Sequence, residues 1–301
     1  MYSGPIIDAH THLWDLSMNK HAWLMPSEGA PQALGGLEAI RRNFLVEDYL
    51  RDSAAQNIAA SVHIEALWDP ADPLGETRWL ETRDKSRGVA VRYTAAAPLG
   101  TPAAASVLEA QASLSRVVGI RAVVSFHPTW PEASFARHGD IATDPAWRRD
   151  VARLVKLQLN LELMMYPYQL GPVLDLAHSL PDLQIIVNHC ASPIDRDQDG
   201  MRRWRDAVRQ LAERPNIALK VSNITAYDPQ ATYEGKRSVA MHCIECFGTR
   251  RTMFATDWPV AGINTTFDGI YDTFRRITAD MSAGEQRDMF HDNATRFYRL
   301  G

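Results

Sequence analysis

Four residues in this sequence combine types and positions suited to hydrolytic chemistry. His10 and His12 stand one residue apart in "PIIDAHTHLWD" (5–15), at the end of an apolar run. In an extended strand, side chains at i and i+2 point to the same side, so the two imidazoles share a face, and Asp8 is expected to share it too. His189 ends the run "LQIIVNHCA" (183–191), and Asp257 lies in "TMFATDWPV" (252–260). Imidazoles polarise a carbonyl or hold a divalent ion, and a carboxylate beside them takes a proton from water. Singly, each reads as readily as a hydrogen-bonded structural side chain or, for Asp257, a plain turn residue. The joint pattern of H-x-H, His and Asp, each at the end of an apolar run, carries the chemical reading.

Charged residues also interrupt other apolar runs: Glu65 with His63, Arg121, Glu162 and Lys220. A buried carboxylate needs a partner, so Arg121 and Lys220 are expected to pair with Glu65 and Glu162, and His63 with Glu65. Arg121 is also suited to fork onto a substrate carboxylate, and Lys220 to bind substrate. His127, Tyr166 and Trp14 follow strand ends, where they are candidates to line a substrate pocket. The three cysteines are Cys190, Cys243 and Cys246. The C-x-x-C of the last two has no second ligand pair, and it reads as the buried side of a helix.

These residues require elements that bring them together. Eight apolar runs, at 5–12, 59–67, 88–99, 117–125, 159–167, 183–191, 216–224 and 252–260, alternate with amphipathic stretches. Near-continuous apolar runs suit parallel strands buried on both faces. The alternation predicts an α/β fold, a (β/α)8 TIM barrel, as a single domain over 1–301. A doubly wound open sheet would favour a Gly-rich turn after strand one, where this chain has "HTHLWD". Closing the barrel makes strands one and eight neighbours, so Asp257 reaches the His10/His12 pair across ~245 residues of chain. Asp144 and Pro145 mark one helix start, and Ser282 with Glu285 forms an S-x-x-E box at the last helix. Segment 13–45 lacks periodicity and is expected to cap the barrel mouth.

The composition is globular, 46% hydrophobic and 23% charged over 301 residues, with a net charge of −4. No Lys/Arg stripe forms, which argues against nucleic acid or an anionic membrane as main partner. There is no signal-peptide pattern and no apolar run of ~18 residues. The low, odd cysteine count fits a reduced, cytoplasmic protein. A homo-oligomer stays open.

The same motifs resemble the amidohydrolase superfamily, and within it the branch containing lactonases for 2-pyrone-4,6-dicarboxylate, sulfomuconolactone and sugar acids. The resemblance runs through "IIDAHTHLWD", "SVHIEALWDPADPLGETRWL", "VVGIRAVVS", "QLGPVLDLAHSLPDLQIIVNHCASP", "NIALKVSNIT", "FATDWPV" and "FHDNATRFYRL", essentially the whole chain. It implies that His10 and His12 are the H-x-H pair, His189 the strand-six His and Asp257 the strand-eight Asp. It also implies a departure. Metal-rich members add a strand-four Lys or Glu and a strand-five His, whereas strand four here carries Arg121 and strand five has no His. The expectation is at most one divalent ion, zinc first, held by His10, His12 and Asp257 with His189. A metal-free mechanism stands beside it.

The expected reaction is hydrolysis of a small lactone, carboxylated or derived from a sugar acid. Asp257 would activate water, and the histidines would polarise the carbonyl. Two alternatives remain: a metal-dependent amidohydrolase or non-oxidative decarboxylase on the same scaffold, and a non-catalytic small-molecule binding protein.

Overall fold

Strand seven shows how the chain builds its walls. Ile217, Leu219 and Val221 turn outward into the main apolar core, while Ala218 joins a second cluster with Ile7, Ala9, Val62, Ile64, Ile186 and Met253. Period-two alternation thus sorts one strand between a helix-covered face and a barrel interior. A computed structural model describes residues 1–25 and 36–300. Its strands are β1 (Ile6–Thr11), β2 (Ile58–Ile64), β3 (Arg92–Ala95), β4 (Val117–Val123), β5 (Asn160–Met164), β6 (Ile185–Val187), β7 (Ile217–Val221) and β8 (Thr252–Phe254). They pair in parallel, in sequence order. A bridge between Thr11 and Trp258 brings β8 back to β1, with bonds from His12 N to Trp258 O (2.8 Å) and Asp257 N to His10 O (2.9 Å).

The helices are α1 (Val46–Asp52), α2 (Gly75–Glu81), α3 (Ala104–Ala112), α4 (Pro145–Leu157), α5 (Leu170–Ser179), α6 (Gln198–Ala212), α7 (Tyr233–Phe247), α8 (Phe267–Ile277), α9 (Ala283–Arg287) and α10 (Asn293–Tyr298). This is the (β/α)8 TIM barrel that the alternation predicts. Asp144 caps α4 through Ala146 N and Trp147 N, and Ser282 and Glu285 form the capping box of α9. The inner cluster is closed off by Ala294 and Tyr298 of α10. Asn160, at the start of β5, donates to Phe297 O at 2.7 Å, so α10 plugs the N-terminal end and leaves the C-terminal end open for chemistry.

Three expectations about elements need correction. The run 88–99 yields only β3, because Gly88 (φ 80°) and Ala90 (φ 50°) take left-handed conformations ahead of it. The run 252–260 stops pairing regularly after Phe254 and turns through Asp257 (φ 62°). The final helical stretch is broken by a π turn at Asp288–Asp292, which buries Met289 and Phe290. Of the expected capping segment 13–45, residues 26–35 lie outside the described residues. The described parts join through a Trp14–Phe44 bridge.

Candidate active site

The end of β1 is irregular. Its register against β2 shifts between Asp8 and Thr11, so simple alternation fails there. The Asp8 carboxylate turns away from the histidines and accepts from Tyr49 Oη (3.1 Å), Thr256 N (2.9 Å) and Thr256 Oγ1 (2.6 Å). Burial lifts its pKa to about 6 against those donors. Asp8 therefore braces the β1–β8 seam and does not share the His10/His12 face.

His10 and His12 both reach Asp257. Their Nε2 atoms lie 3.2 Å and 3.0 Å from its Oδ1. On the other side, Oδ2 accepts from Asn223 Nδ2 at 2.6 Å and stands 3.9 Å from His189 Nε2. His189 Nδ1 and Ser222 Oγ are 2.9 Å apart. The elements expected to deliver these four side chains do deliver them to one point. His189 (φ 51°), Asn223 (φ 45°) and Asp257 (φ 62°) are all held in the left-handed region. Such conformations are uncommon outside glycine and concentrate at functional sites.

Hydrogen-bond partners constrain the ring protons. His12 Nδ1 lies 2.7 Å from Ile64 O, which can only accept, so Nδ1 carries a proton. In the neutral ring, Nε2 then presents a lone pair to a carboxylate oxygen. Two acceptors 3.0 Å apart need a proton or a cation between them. His10 Nε2 is buried with no hydrogen bond, despite its nearness to Asp257. Lys220 Nζ, 3.4 Å from His10 Nδ1, draws the His10 proton toward Nε2 when no ion is present.

Ligand atoms of His10, His12 and Asp257 lie within 4.8 Å of one another, and they are the one such group of His, Cys, Asp or Glu among the described residues. Two imidazoles and a carboxylate, with one imidazole oriented by a backbone carbonyl, fit a single divalent ion of zinc type.

Burial, then the positive charge of Lys220, holds His10 well below the usual histidine pKa. His189 is pushed down to about 4 by burial, with the Asp257 charge opposing. Both rings are thus neutral at neutral pH. For Asp257, burial pushes upward, but His189 and His12 outweigh it and the carboxyl sits below its ordinary value. Because His189 is itself neutral near pH 7, the Asn223 hydrogen bond, with the proton or cation between His12 Nε2 and Oδ1, holds the charge there.

A cavity of about 50 Å³ opens onto this group. His12, His189, Asp257, Arg121, Asn223 and Tyr227 supply its polar lining. Arg121 Nη1 contacts Glu65 O (3.0 Å) and Glu65 Oε1 (3.4 Å), and Nη2 lies against Met164 Sδ (3.5 Å). Its Nε is buried without a hydrogen bond.

Four other candidates are not brought to this cavity. Lys220 is fully buried beneath it and bonded to Glu162 Oε2 at 2.6 Å, as the pairing expectation requires. His127 is fastened to Asp195 (2.8 Å). Tyr166 donates to Ala133 O (2.7 Å) and backs Tyr227 edge-on. Trp14 donates to Arg42 O (2.8 Å) and packs on Trp23. In each case the polar atom meets a protein partner before it can meet a ligand. His63 pairs with Glu76 (3.0 Å) rather than Glu65, because Arg121 holds Glu65. Sequence reasoning missed Asn223 and Tyr227. Asn223 had a signal, being a polar residue just past strand seven, whereas Tyr227 lies in a loop without periodicity.

A family model described as Amidohydrolase matches residues 7–300. The chain belongs to the amidohydrolase family. Among its relatives, the uncharacterized protein y4mH of Sinorhizobium fredii is 34% identical over 296 residues, covering 98% of each chain. An L-fucono-1,5-lactonase of Burkholderia multivorans is 26% identical over 328 residues, covering 98% of this chain and 96% of the relative. A solved amidohydrolase from Burkholderia multivorans, with bound zinc, superposes with a TM-score of 0.83 at 20% identity, covering 99% of this chain and 100% of that one. No helix among the described residues is long and apolar enough to cross a membrane.

Proposed function

We propose that this amidohydrolase opens a small lactone, of the carboxylated or sugar-acid kind, with Asp257 as the base for water. The observation that carries the reading is the buried Asp257 carboxylate. It accepts from Asn223, has a proton or cation between its Oδ1 and His12 Nε2, and faces a cavity that also contains His189 and Arg121. The family membership and the lactonase relatives support it.

Asp257 takes a proton from water as the water oxygen adds to the ring carbonyl carbon. His189 and Arg121, on the same cavity wall, stabilise the oxygen that gains charge; one preorganised donor of this kind contributes roughly 3–4 kcal/mol. The ring C–O bond then breaks, and Asp257 returns the proton to the departing ring oxygen, giving a hydroxy acid. A divalent ion bound by His10, His12 and Asp257 would supply Lewis-acid polarisation and lower the pKa of water. Fixed placement of water matters because a low-pKa carboxylate is a weak base.

Asp257→Asn keeps the shape and removes the base. Its kcat against a panel of aldonolactones and dicarboxylate lactones is expected to fall by about 10³-fold or more, as for loss of a central catalytic group. Parent-like turnover by a folded Asp257→Asn protein would remove Asp257 from the mechanism.

A further inference from the structure

The cavity above Asp257 is small, and a second one lies beside it. This neighbour is about 520 Å³, ten times the roughly 50 Å³ of the inner chamber. Ligand pockets usually run to ~300–1,000 Å³, so the inner chamber falls below that range and the outer one within it. Trp23, Leu67, Arg121 and Val123 line both, which makes them two parts of one cleft.

The two chambers differ in chemistry. The outer walls are largely hydrocarbon, with Trp68, Pro73, Ala97, Leu99, Ile141 and Trp147 among them. Charged side chains there are Glu65, Asp69 and Arg121. Glu65 and Arg121 engage each other at the junction, and Asp69 is held by Lys20 at 2.9 Å. A hydroxyl-rich sugar arm would find few side-chain partners there, and unpaired buried hydroxyls are costly. Leu67 sharpens the point. It is 39% exposed at the junction, in a left-handed conformation (φ 55°), with its N–H tied to Glu65 Oε2 at 2.9 Å. The fold therefore presents a large apolar side chain to the cleft at some backbone cost, and a passing hydrocarbon chain would cover it.

We propose that the substrate is an amphiphilic lactone, whose ring sits in the inner chamber against Asp257 and Arg121 and whose alkyl or aryl arm passes Leu67 into the outer chamber. This rests on the lactone reading above and, within it, sets the sugar-acid kind aside in favour of a lactone that carries a hydrocarbon arm.

The test uses the full chain with two parallel ligand series whose arms grow from methyl to octyl. One series is of hydrolysable lactones, and the other is of the matching lactams as inert analogues. In the lactone series kcat/KM is expected to rise about fourfold per methylene until the chamber is filled, matching ~0.8 kcal/mol per buried CH₂. Lactam affinity, read by quenching of tryptophan fluorescence, is expected to rise with the same slope. Ala97→Trp fills the outer chamber and is expected to flatten both slopes. Short lactones turned over, with kcat/KM and lactam affinity flat or falling as the arm lengthens, would overturn the arm chamber and leave the lactone reading intact. Lactam affinity rising with arm length while no lactone is hydrolysed would uphold the chamber and overturn the lactone reading. Unchanged slopes in a folded Ala97→Trp protein would also overturn the chamber, and if that variant does not fold, the lactam series on the parent still decides.

Discussion

Asn223 donates its side-chain N–H to Oδ2 of Asp257 at 2.6 Å, while its own Oδ1 is buried without a partner. A hydrogen bond to a charged group is worth ~1.5–3 kcal/mol, which corresponds to roughly one to two pH units on the acceptor. The bond favours the ionised carboxylate, so its removal raises the Asp257 pKa. In Asn223→Ala the acid limb of the kcat/KM profile is expected to move up by about one unit or more, with kcat at neutral pH falling roughly tenfold. An acid limb unmoved by Asn223→Ala would mean that Asn223 does not hold the charge. His189, pushed down to about 4, titrates in the same acid range, so the movement of the limb between parent and Asn223→Ala, not its position, reports on Asp257.

At the scale of strands, β5 and β7, which flank β6, are tied together inside the barrel through Glu162 and Lys220. Glu162 accepts from Lys220 (2.6 Å), Tyr298 (2.6 Å), Asn188 (2.7 Å) and Thr94 (3.0 Å). Burial opposes its charge, but Lys220 and these donors outweigh it and the carboxyl stays below its ordinary pKa. Lys220 is pushed down to about 8 by burial, with Glu162 opposing. Breaking one side of such a buried pair costs ~3–5 kcal/mol, because the remaining charge is stranded. Lys220→Met is therefore expected to lower the urea midpoint sharply at pH 7. Lys220→Met with Glu162→Gln should recover much of the loss. If the double variant is as unstable as the sum of the two single changes, the pair is not coupled.

Across the whole molecule, the seam between β8 and β1 is bridged at Thr11–Trp258 and by Asp8, His10, His12 and Asp257. An ion held by His10, His12 and Asp257 would join the first strand to the last. Ligand binding to the folded state alone stabilises it by RT ln(1 + [L]/Kd), or about 2.7 kcal/mol at a hundredfold excess over Kd. Added zinc is expected to raise the melting temperature of the parent by several degrees, with one equivalent retained on dialysis. Asp257→Ala is expected to lose both effects. Two retained equivalents, or a shift that persists in Asp257→Ala, would contradict a single ion at the seam.

Much of this molecule is readable along the chain because its physics is local. The eight βα alternations, the Asp144–Pro145 helix start and the Ser282–Glu285 box follow from apolar period, capping and strand length. Closure of a ring of eight strands is enough to place Asp257 beside His10 and His12. Other features depend on which partner arrives first. Asp8 leaves the histidine face because β1 shifts register and Tyr49 and Thr256 claim its carboxylate. His63 goes to Glu76 because Arg121 already holds Glu65. His127, Tyr166 and Trp14 find protein partners within the loops that carry them.

The sequence by itself determined the barrel and the His10, His12, His189 and Asp257 group, since spacing within strands and ring closure leave little freedom there. Only the tertiary structure decided the rest: that Asn223 holds the carboxylate, that Lys220 lies beneath the site, and that a hydrocarbon chamber adjoins it. Hydrogen-bond assignment among buried groups and the shape of a space between loops are competitions among segments far apart in the chain. Periodicity and spacing carry no record of their outcome.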